Sequence, residues 1–189
     1  MDKIVECVPN FSEGRDESIL EGISRAIESV AEVVLLDVDP GEATNRTVVT
    51  FVGSPKGVKE AAFHAIATAA DLIDMRNQSG AHARMGATDV CPFVPVRGVT
   101  MDDCVEIAKS VGERVAEELG IPVYLYEHAA SAPERRNLAN VRKGEYEGLS
   151  DKLKDPNWKP DFGEAKFNAG SGATAIGARE FLIAYNVNL

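Results

Sequence analysis

The three histidines are the side chains best suited to proton transfer, because an imidazole titrates near neutral pH. His82 lies in the glycine-bounded segment GAHARMG, two residues before Arg84. The position of His82 is equally compatible with a functional role and with a role in holding the loop. His64 falls inside a predicted helix and His128 follows a predicted strand, so both are interpreted as structural residues.

Motifs for other kinds of chemistry are missing from the sequence. It contains no GxSxG nucleophile elbow, no Walker loop and no dinucleotide fingerprint. His82 and Asp89 could be combined with an aspartate of residues 37–39 as metal ligands, but the spacing matches no specific metal pattern. We therefore expect no metal. The stretch 170–173 (GSGA), taken alone, is typical of a turn that leads into a strand.

The composition argues against several classes of protein. The net charge is -10, from 20 basic and 30 acidic residues, so the basic surface typical of nucleic-acid binding is not expected. An anionic ligand would need local basic groups. No apolar run reaches the roughly 18 residues of a membrane span, and the first residues do not resemble a signal peptide. The three cysteines are interpreted as buried thiols of a cytoplasmic protein.

The helices that must position these residues follow from the spacing of the apolar side chains. They are predicted over residues 16–30, 54–73 and 100–119, with a peripheral helical excursion over residues 131–155. Ser54 and Thr100 are the expected N-caps of the second and third helices, and Gly120 is expected to end the third.

The strands are predicted from β-branched and continuous apolar runs. They cover residues 3–8, 33–38, 46–52, 90–96, 123–126 and 173–189, the last most clearly at 181–187. The run 33–38 is nearly all apolar, which indicates a strand in the middle of a sheet. Two prolines in 90–96 indicate an edge or irregular strand.

The order β-α-β-β-α-β matches the start of a ferredoxin-like split βαβ unit. It predicts an α+β fold in one domain, residues 1–189, with a mixed β-sheet and helices mainly on one face. The opposite face would then need cover from water.

Nine collinear stretches together resemble one family, the formiminotransferase domain of glutamate formiminotransferase and of formiminotransferase-cyclodeaminase. They are residues 5–14 (VECVPNFSEG), 35–39 (LLDVD), 44–47 (TNRT), 72–75 (LIDM), 82–86 (HARMG), 89–93 (DVCPF), 95–98 (PVRG), 122–126 (PVYLY) and 173–179 (ATAIGAR). Their order and spacing cover nearly the whole chain, which makes the set specific.

The resemblance implies transfer of a formimino group from N-formiminoglutamate to N5 of the co-substrate tetrahydrofolate, with release of glutamate. It implies that His82 is the catalytic residue. One group with a pKa near 7 can take the proton from N5 and return it to the departing nitrogen. The resemblance also maps a folate-contacting stretch onto residues 163–172, which are Gly163, Glu164, Ala165, Lys166, Phe167, Asn168, Ala169, Gly170, Ser171 and Gly172.

Charged residues are expected to assist this chemistry. A carboxylate such as Asp39 could orient or polarise the imidazole. The substrate carboxylates need cations, and three arginines that stand in or beside loops are the candidates: Arg46, Arg84 and Arg97.

The family's complete domain has two subdomains with folate between them, and this chain corresponds to the first. The resemblance therefore implies a partner, either a second copy in a homodimer or a separate chain with the second subdomain, and weak activity alone. Two alternatives are a non-catalytic folate-binding or scaffold protein that keeps the fold, and a regulatory module in which the His82 loop is coincidental.

Overall fold

Within residues 3–182, the part of the chain that the computed structural model describes, seven strands form one mixed β-sheet. The strands are β1 (Ile4–Cys7), β2 (Asn10–Phe11), β3 (Val33–Gly41), β4 (Arg46–Gly53), β5 (Thr88–Arg97), β6 (Val123–Glu127) and β7 (Thr174–Ala178). The helices are α1 (Glu17–Glu28), α2 (Pro55–Leu72), α3 (Met101–Leu119), α4 (Leu138–Arg142) and α5 (Glu145–Lys152). The predicted last strand, at residues 181–187, falls almost entirely outside the described residues.

The sheet is a ferredoxin-like unit extended on one side. β1 and β2 form one interrupted line between β4 and β5 and are antiparallel to both, while β3 pairs with the outer side of β4. β7 adds in parallel to β5, and β6 in parallel to β7. The predicted α+β class and its ferredoxin-like start are therefore confirmed.

The three long helices begin and end at the residues that the sequence indicates. The Ser54 hydroxyl accepts the Gly57 N–H at 3.0 Å, which satisfies a free donor at the start of α2. Thr100 and Asp103 form a reciprocal capping box at the start of α3. Gly120 ends α3 with φ +63°, a backbone conformation that glycine adopts without strain.

The positions of two strands differ from the prediction. β3 is not in the middle of the sheet: among the described strands it pairs only with β4, at the edge. Its side chains alternate, since Val33 and Leu35 pack on the core whereas Val34 and Leu36 are 50% and 56% exposed. β5 is not an edge strand but lies centrally, because its prolines fall where the neighbouring line is irregular. Pro92 lies opposite the break between β1 and β2, and Pro95 lies beside a register shift in β1.

The two faces of the sheet are covered unequally. Helices α1, α2 and α3 bury one face around a core that includes Phe11, Phe51 and Phe93. On the other face, the excursion formed by residues 131–159 packs on β5, β6 and β7, where Tyr124 and Leu149 are fully buried. The half of that face that β3 and β4 form is not covered by the excursion, and it carries the exposed side chains of β3. We call it the open half-face.

No helix within the described range 3–182 is long and apolar enough to cross a membrane.

Candidate functional site

The long loop between α2 and β5 is held by backbone hydrogen bonds to two distant segments. The Ala87 N–H donates to the Ser171 carbonyl at 2.9 Å, and the Ala173 N–H donates to the Met85 carbonyl at 3.2 Å. A further bond at 2.8 Å joins the Tyr146 N–H to the Arg84 carbonyl. The loop is therefore a defined part of the structure, and its conformation fixes where His82 lies.

His82 is half-buried, and its ring is oriented by a local contact. Nδ1 lies 2.7 Å from the carbonyl oxygen of Ala83, so a hydrogen on Nδ1 satisfies that acceptor and leaves Nε2 as the proton acceptor. Burial is the main cause that lowers the pKa of His82, and the positive charges of Arg46 and Arg142 lower it further. The Ala83 carbonyl and Asp89 oppose this shift. Near neutral pH the imidazole is consequently uncharged and available as a base.

Asp89 is the buried carboxylate at the centre of this region. Its Oδ1 accepts the Met85 N–H at 2.9 Å. Its Oδ2 accepts both Nη1 of Arg46, at 2.6 Å, and Nη2 of Arg142, at 2.5 Å. Arg46 is further fixed by a bond from Nε to Oδ1 of Asn10. One negative charge, from the second residue of β5, thus lies between two positive charges, from the first residue of β4 and the last residue of α4.

A buried tyrosine and a third arginine adjoin this ion triad. Burial raises the pKa of Tyr126 well above its ordinary value, against the opposing charges of Arg179 and Arg142. The Tyr126 side chain forms a hydrogen bond with Arg179, and it also acts electrostatically on Arg46. The site is therefore locally basic although the whole chain is acidic.

The other arginines predicted as substrate ligands lie elsewhere. Arg84, although two residues from His82, forms ion pairs with Glu145 and Glu147 and tethers the loop to α5. Arg97 is exposed at the far end of β5, eight residues from Asp89, roughly 26 Å away at the usual strand rise. Of the three predicted arginines, Arg46 is the one that contacts Asp89, the carboxylate bonded to the His82 loop.

Asp39 is exposed on β3, opposite Val48 in the β3–β4 pairing. The carboxylate that acts electrostatically on His82 is Asp89. Asp39 and Arg46 project from the same face of the hairpin, because the partner of Arg46, Gly41, is two residues from Asp39.

The predicted folate stretch, residues 163–172, joins two different places. Its first part lines a cavity of about 750 Å³ against α3, with two phenylalanine rings, three glutamates and one lysine. The lining comprises Glu113, Ala116, Glu117, Gly120, Phe162, Gly163, Glu164, Lys166, Phe167, Asn168 and Ala169. Its last part pairs with the His82 loop, where Gly172 has φ +69° and an added Cβ would lie 2.1 Å from the Met85 carbonyl oxygen. Gly172 is thus required by the turn itself.

The part of the chain that the structure describes contains no group of three or more histidine, cysteine or acidic side chains that could hold a metal ion. From the sequence, Asp89 was predicted only as a conceivable metal ligand, and Arg142 was not predicted as a site residue. The available signal for Asp89 was a charged residue next to the apolar run of a buried strand, β5.

The fold and the site define an α+β protein with one mixed sheet. Its basic, histidine-bearing site lies where β4 and β5 begin. The chain belongs to the formiminotransferase family: the family model described as "Formiminotransferase domain, N-terminal subdomain" matches residues 4–179. Formimidoyltransferase-cyclodeaminase of Dictyostelium discoideum is 58% identical over 189 residues, which are 100% of this chain and 35% of the relative.

Two relatives named glutamate formimidoyltransferase are also similar. That of Streptococcus pyogenes serotype M1 is 50% identical over 100% of this chain and 63% of its own length. That of Thermoplasma acidophilum is 51% identical over 98% of this chain and 62% of its own length. The chain therefore spans less than two thirds of the curated relatives that it matches.

The electrostatics of the site predict that Arg142→Gln raises the pKa of His82, because a positive charge that disfavours imidazolium is removed. A proton NMR titration of the imidazole signals measures the shift. The matched control is Arg136→Gln, which removes an exposed arginine from the same excursion and should leave the His82 curve unchanged. An unchanged or lowered His82 pKa in Arg142→Gln would show that this charge does not act on the histidine.

Proposed function

We propose that this chain is the histidine-bearing part of a glutamate formimidoyltransferase. It would transfer the formimino group of N-formiminoglutamate to N5 of tetrahydrofolate and yield 5-formiminotetrahydrofolate and glutamate. The names of relatives at 50% and 51% identity support this assignment. The observation that carries it is the electrostatic environment of His82. Its half-buried imidazole has a lowered pKa, and the two arginines that act on it, Arg46 and Arg142, share the single carboxylate of Asp89.

In the proposed reaction, N5 attacks the formimino carbon and a tetrahedral centre forms. Nε2 of His82 takes the proton from N5 and then delivers it to the glutamate nitrogen as the bond from carbon to that nitrogen breaks. Nδ1 keeps its hydrogen on the Ala83 carbonyl throughout, so the ring need not turn. Asp39, on the same face as Arg46, is proposed to orient bound groups from the open half-face.

Tetrahydrofolate is proposed to contact residues 163–172. The cavity beside this stretch falls within the usual range of small-molecule sites, roughly 300–1,000 Å³. Two phenylalanine rings, Phe162 and Phe167, offer apolar surface to an aromatic ligand. Because the cavity lining does not include His82, the same cavity also favours a second candidate, a folate-binding protein without turnover.

We propose the reducing cytoplasm as the place of action, where thiols persist. Cys7 and Cys91 are both buried as free cysteines, with their sulfur atoms 3.5 Å apart. Burial raises the pKa of Cys7, which disfavours the reactive thiolate.

The transferase proposal predicts that His82→Ala lowers the rate of formimino transfer by roughly 10²–10⁴-fold, the usual contribution of an acid–base group. Formation of 5-formiminotetrahydrofolate is followed with the chain in excess, so that weak turnover remains measurable. His64→Ala is the control, since His64 lies in α2 on the other side of the sheet. Folate binding with no transfer by the unmodified chain, at any concentration, would instead support the non-catalytic candidate.

The open half-face is proposed to be covered by a partner, either a second copy of this chain or a chain that carries the second subdomain. Two observations support this proposal: Val34 and Leu36 are half-exposed, and β3 pairs on one side only among the strands of residues 3–182. A second copy is the simpler cover, because one kind of chain then suffices.

For the homodimer, we expect Leu36→Glu to shift the chain toward monomer, since a charge in an apolar interface must be desolvated. Sedimentation equilibrium measures the change. Leu72→Glu, at a 45% exposed leucine on α2, is the control and should leave association unaltered. An unmodified chain that stays monomeric at high concentration would exclude the homodimer and leave the separate chain as the proposed partner.

A further inference from the structure

The ion triad around Asp89 holds more positive charge than it neutralises. Within residues 3–182, Asp89 is the one carboxylate that forms an ion pair with either Arg46 or Arg142. Both guanidinium groups contact the same oxygen, Oδ2, while Oδ1 accepts the Met85 N–H. The single negative charge of Asp89 balances only one of the two positive charges, so one positive charge remains without a counter-ion in this group.

Arg142 also has an unused hydrogen-bond donor. Its Nε is buried and has no partner among the described residues, and only 16% of its side chain is exposed. A buried donor without an acceptor is unfavourable unless something supplies that acceptor. An arginine presents its donors as a rigid fork that matches a carboxylate, so an incoming carboxylate would satisfy both the charge and the donor.

The location of this pair restricts which carboxylate it can receive. The loop that carries His82 is bonded to the same carboxylate, since the Met85 N–H donates to Asp89 Oδ1 at 2.9 Å. Both arginines also act electrostatically on the imidazole, so the arginine pair and His82 belong to one site. In an N-formimino α-amino acid, a single carbon separates the α-carboxylate from the nitrogen that must be protonated on departure. In formiminoglutamate three carbons separate that nitrogen from the other carboxylate, and the glutamate tail of a folate is separated from N5 by an aromatic ring.

We propose that Arg46 and Arg142, held by Asp89, form the receptor for the α-carboxylate of the formimino donor, which makes the site selective for N-formimino α-amino acids. This inference rests on the proposed function, since it assumes the donor. Asp89 acts as a positioning residue: it fixes the two forks and leaves their remaining N–H groups toward the ligand. The receptor places the departing nitrogen beside Nε2 of His82.

The test is calorimetric binding of three ligands to the full chain: N-formimino-L-glutamate, N-formimino-γ-aminobutyrate, which lacks the α-carboxylate, and N-formimino-L-2-aminobutyrate, which lacks the other one. We expect the loss of the α-carboxylate to weaken binding roughly 10–100-fold, the fold-change of a charge-assisted hydrogen-bonded pair. The loss of the other carboxylate should weaken it much less.

Arg142→Gln should remove this discrimination, binding formimino-glutamate more weakly but the γ-aminobutyrate derivative nearly as before. The ratio of the two affinities within one variant does not depend on how much of that variant is folded. Arg136→Gln, on the same excursion, should keep the wild-type ratio. A wild-type chain that binds all three ligands without preferring the α-carboxylate overturns the receptor alone. A discrimination that survives Arg142→Gln overturns it as well, whereas failure to bind any of the three contradicts the receptor and the proposed function together.

Discussion

The buried carboxylate of Asp89 is the interaction on which the site depends. It joins the start of β4 through Arg46, the end of α4 through Arg142 and the His82 loop through the Met85 N–H. Arg46 and Arg142 lie 43 and 53 residues from Asp89 in the sequence, and one fully buried anion attracts both. Removing one partner from a buried ion pair commonly costs about 3–5 kcal/mol, since the remaining charges stay desolvated.

The excursion between β6 and β7 serves both the core and the site. Its apolar side chains bury one half of the sheet, and its short helix α4 ends at Arg142. The Lys152 ammonium donates to the last carbonyls of α4, at 3.2 Å from Asn140 and also to Val141, and lies 4.0 Å from the centre of the Trp158 ring. Burial lowers the pKa of Lys152 to about 8. A five-residue helix too short to be stable alone is thus held where its arginine reaches Asp89.

The sequence predicts those parts of the fold that local chemistry determines. Three such features depend on residues that are close in the chain, so they could be predicted from the sequence. They are helix caps such as Thr100, the helical spacing of apolar residues and the hairpin of β3 and β4. The place of a strand in the sheet depends on which strands pair with it. For that reason β3 was assigned to the wrong position, because its apolar run suggested the centre of the sheet. The prolines of β5 indicated an edge or irregular strand, and the structure shows the irregular pairing but not the edge position.

The residues of the site also fall into those that the local sequence predicts and those that only long-range contacts determine. His82 could be singled out because a histidine in a glycine-bounded loop is visible in the sequence, and Arg46 because it flanks a loop. Arg142 could not, since it lies in a charged segment with weak periodicity, 53 residues from its partner Asp89. Arg84 was predicted because it stands in a loop, yet its guanidinium group forms ion pairs with two glutamates. Long-range ion pairs decide which arginines face the histidine, and no local pattern encodes them.

Hydrogen–deuterium exchange of Asp89→Asn tests most directly whether Asp89 assembles this site. The near-isosteric amide keeps an acceptor for the Met85 N–H but loses the charge that holds both arginines. The account predicts faster exchange in the His82 loop, reported by Ala87, and in α4, reported by Val141, while α3 keeps its wild-type protection. Unchanged exchange in the loop and in α4, or an equal loss of protection throughout α3, would contradict it.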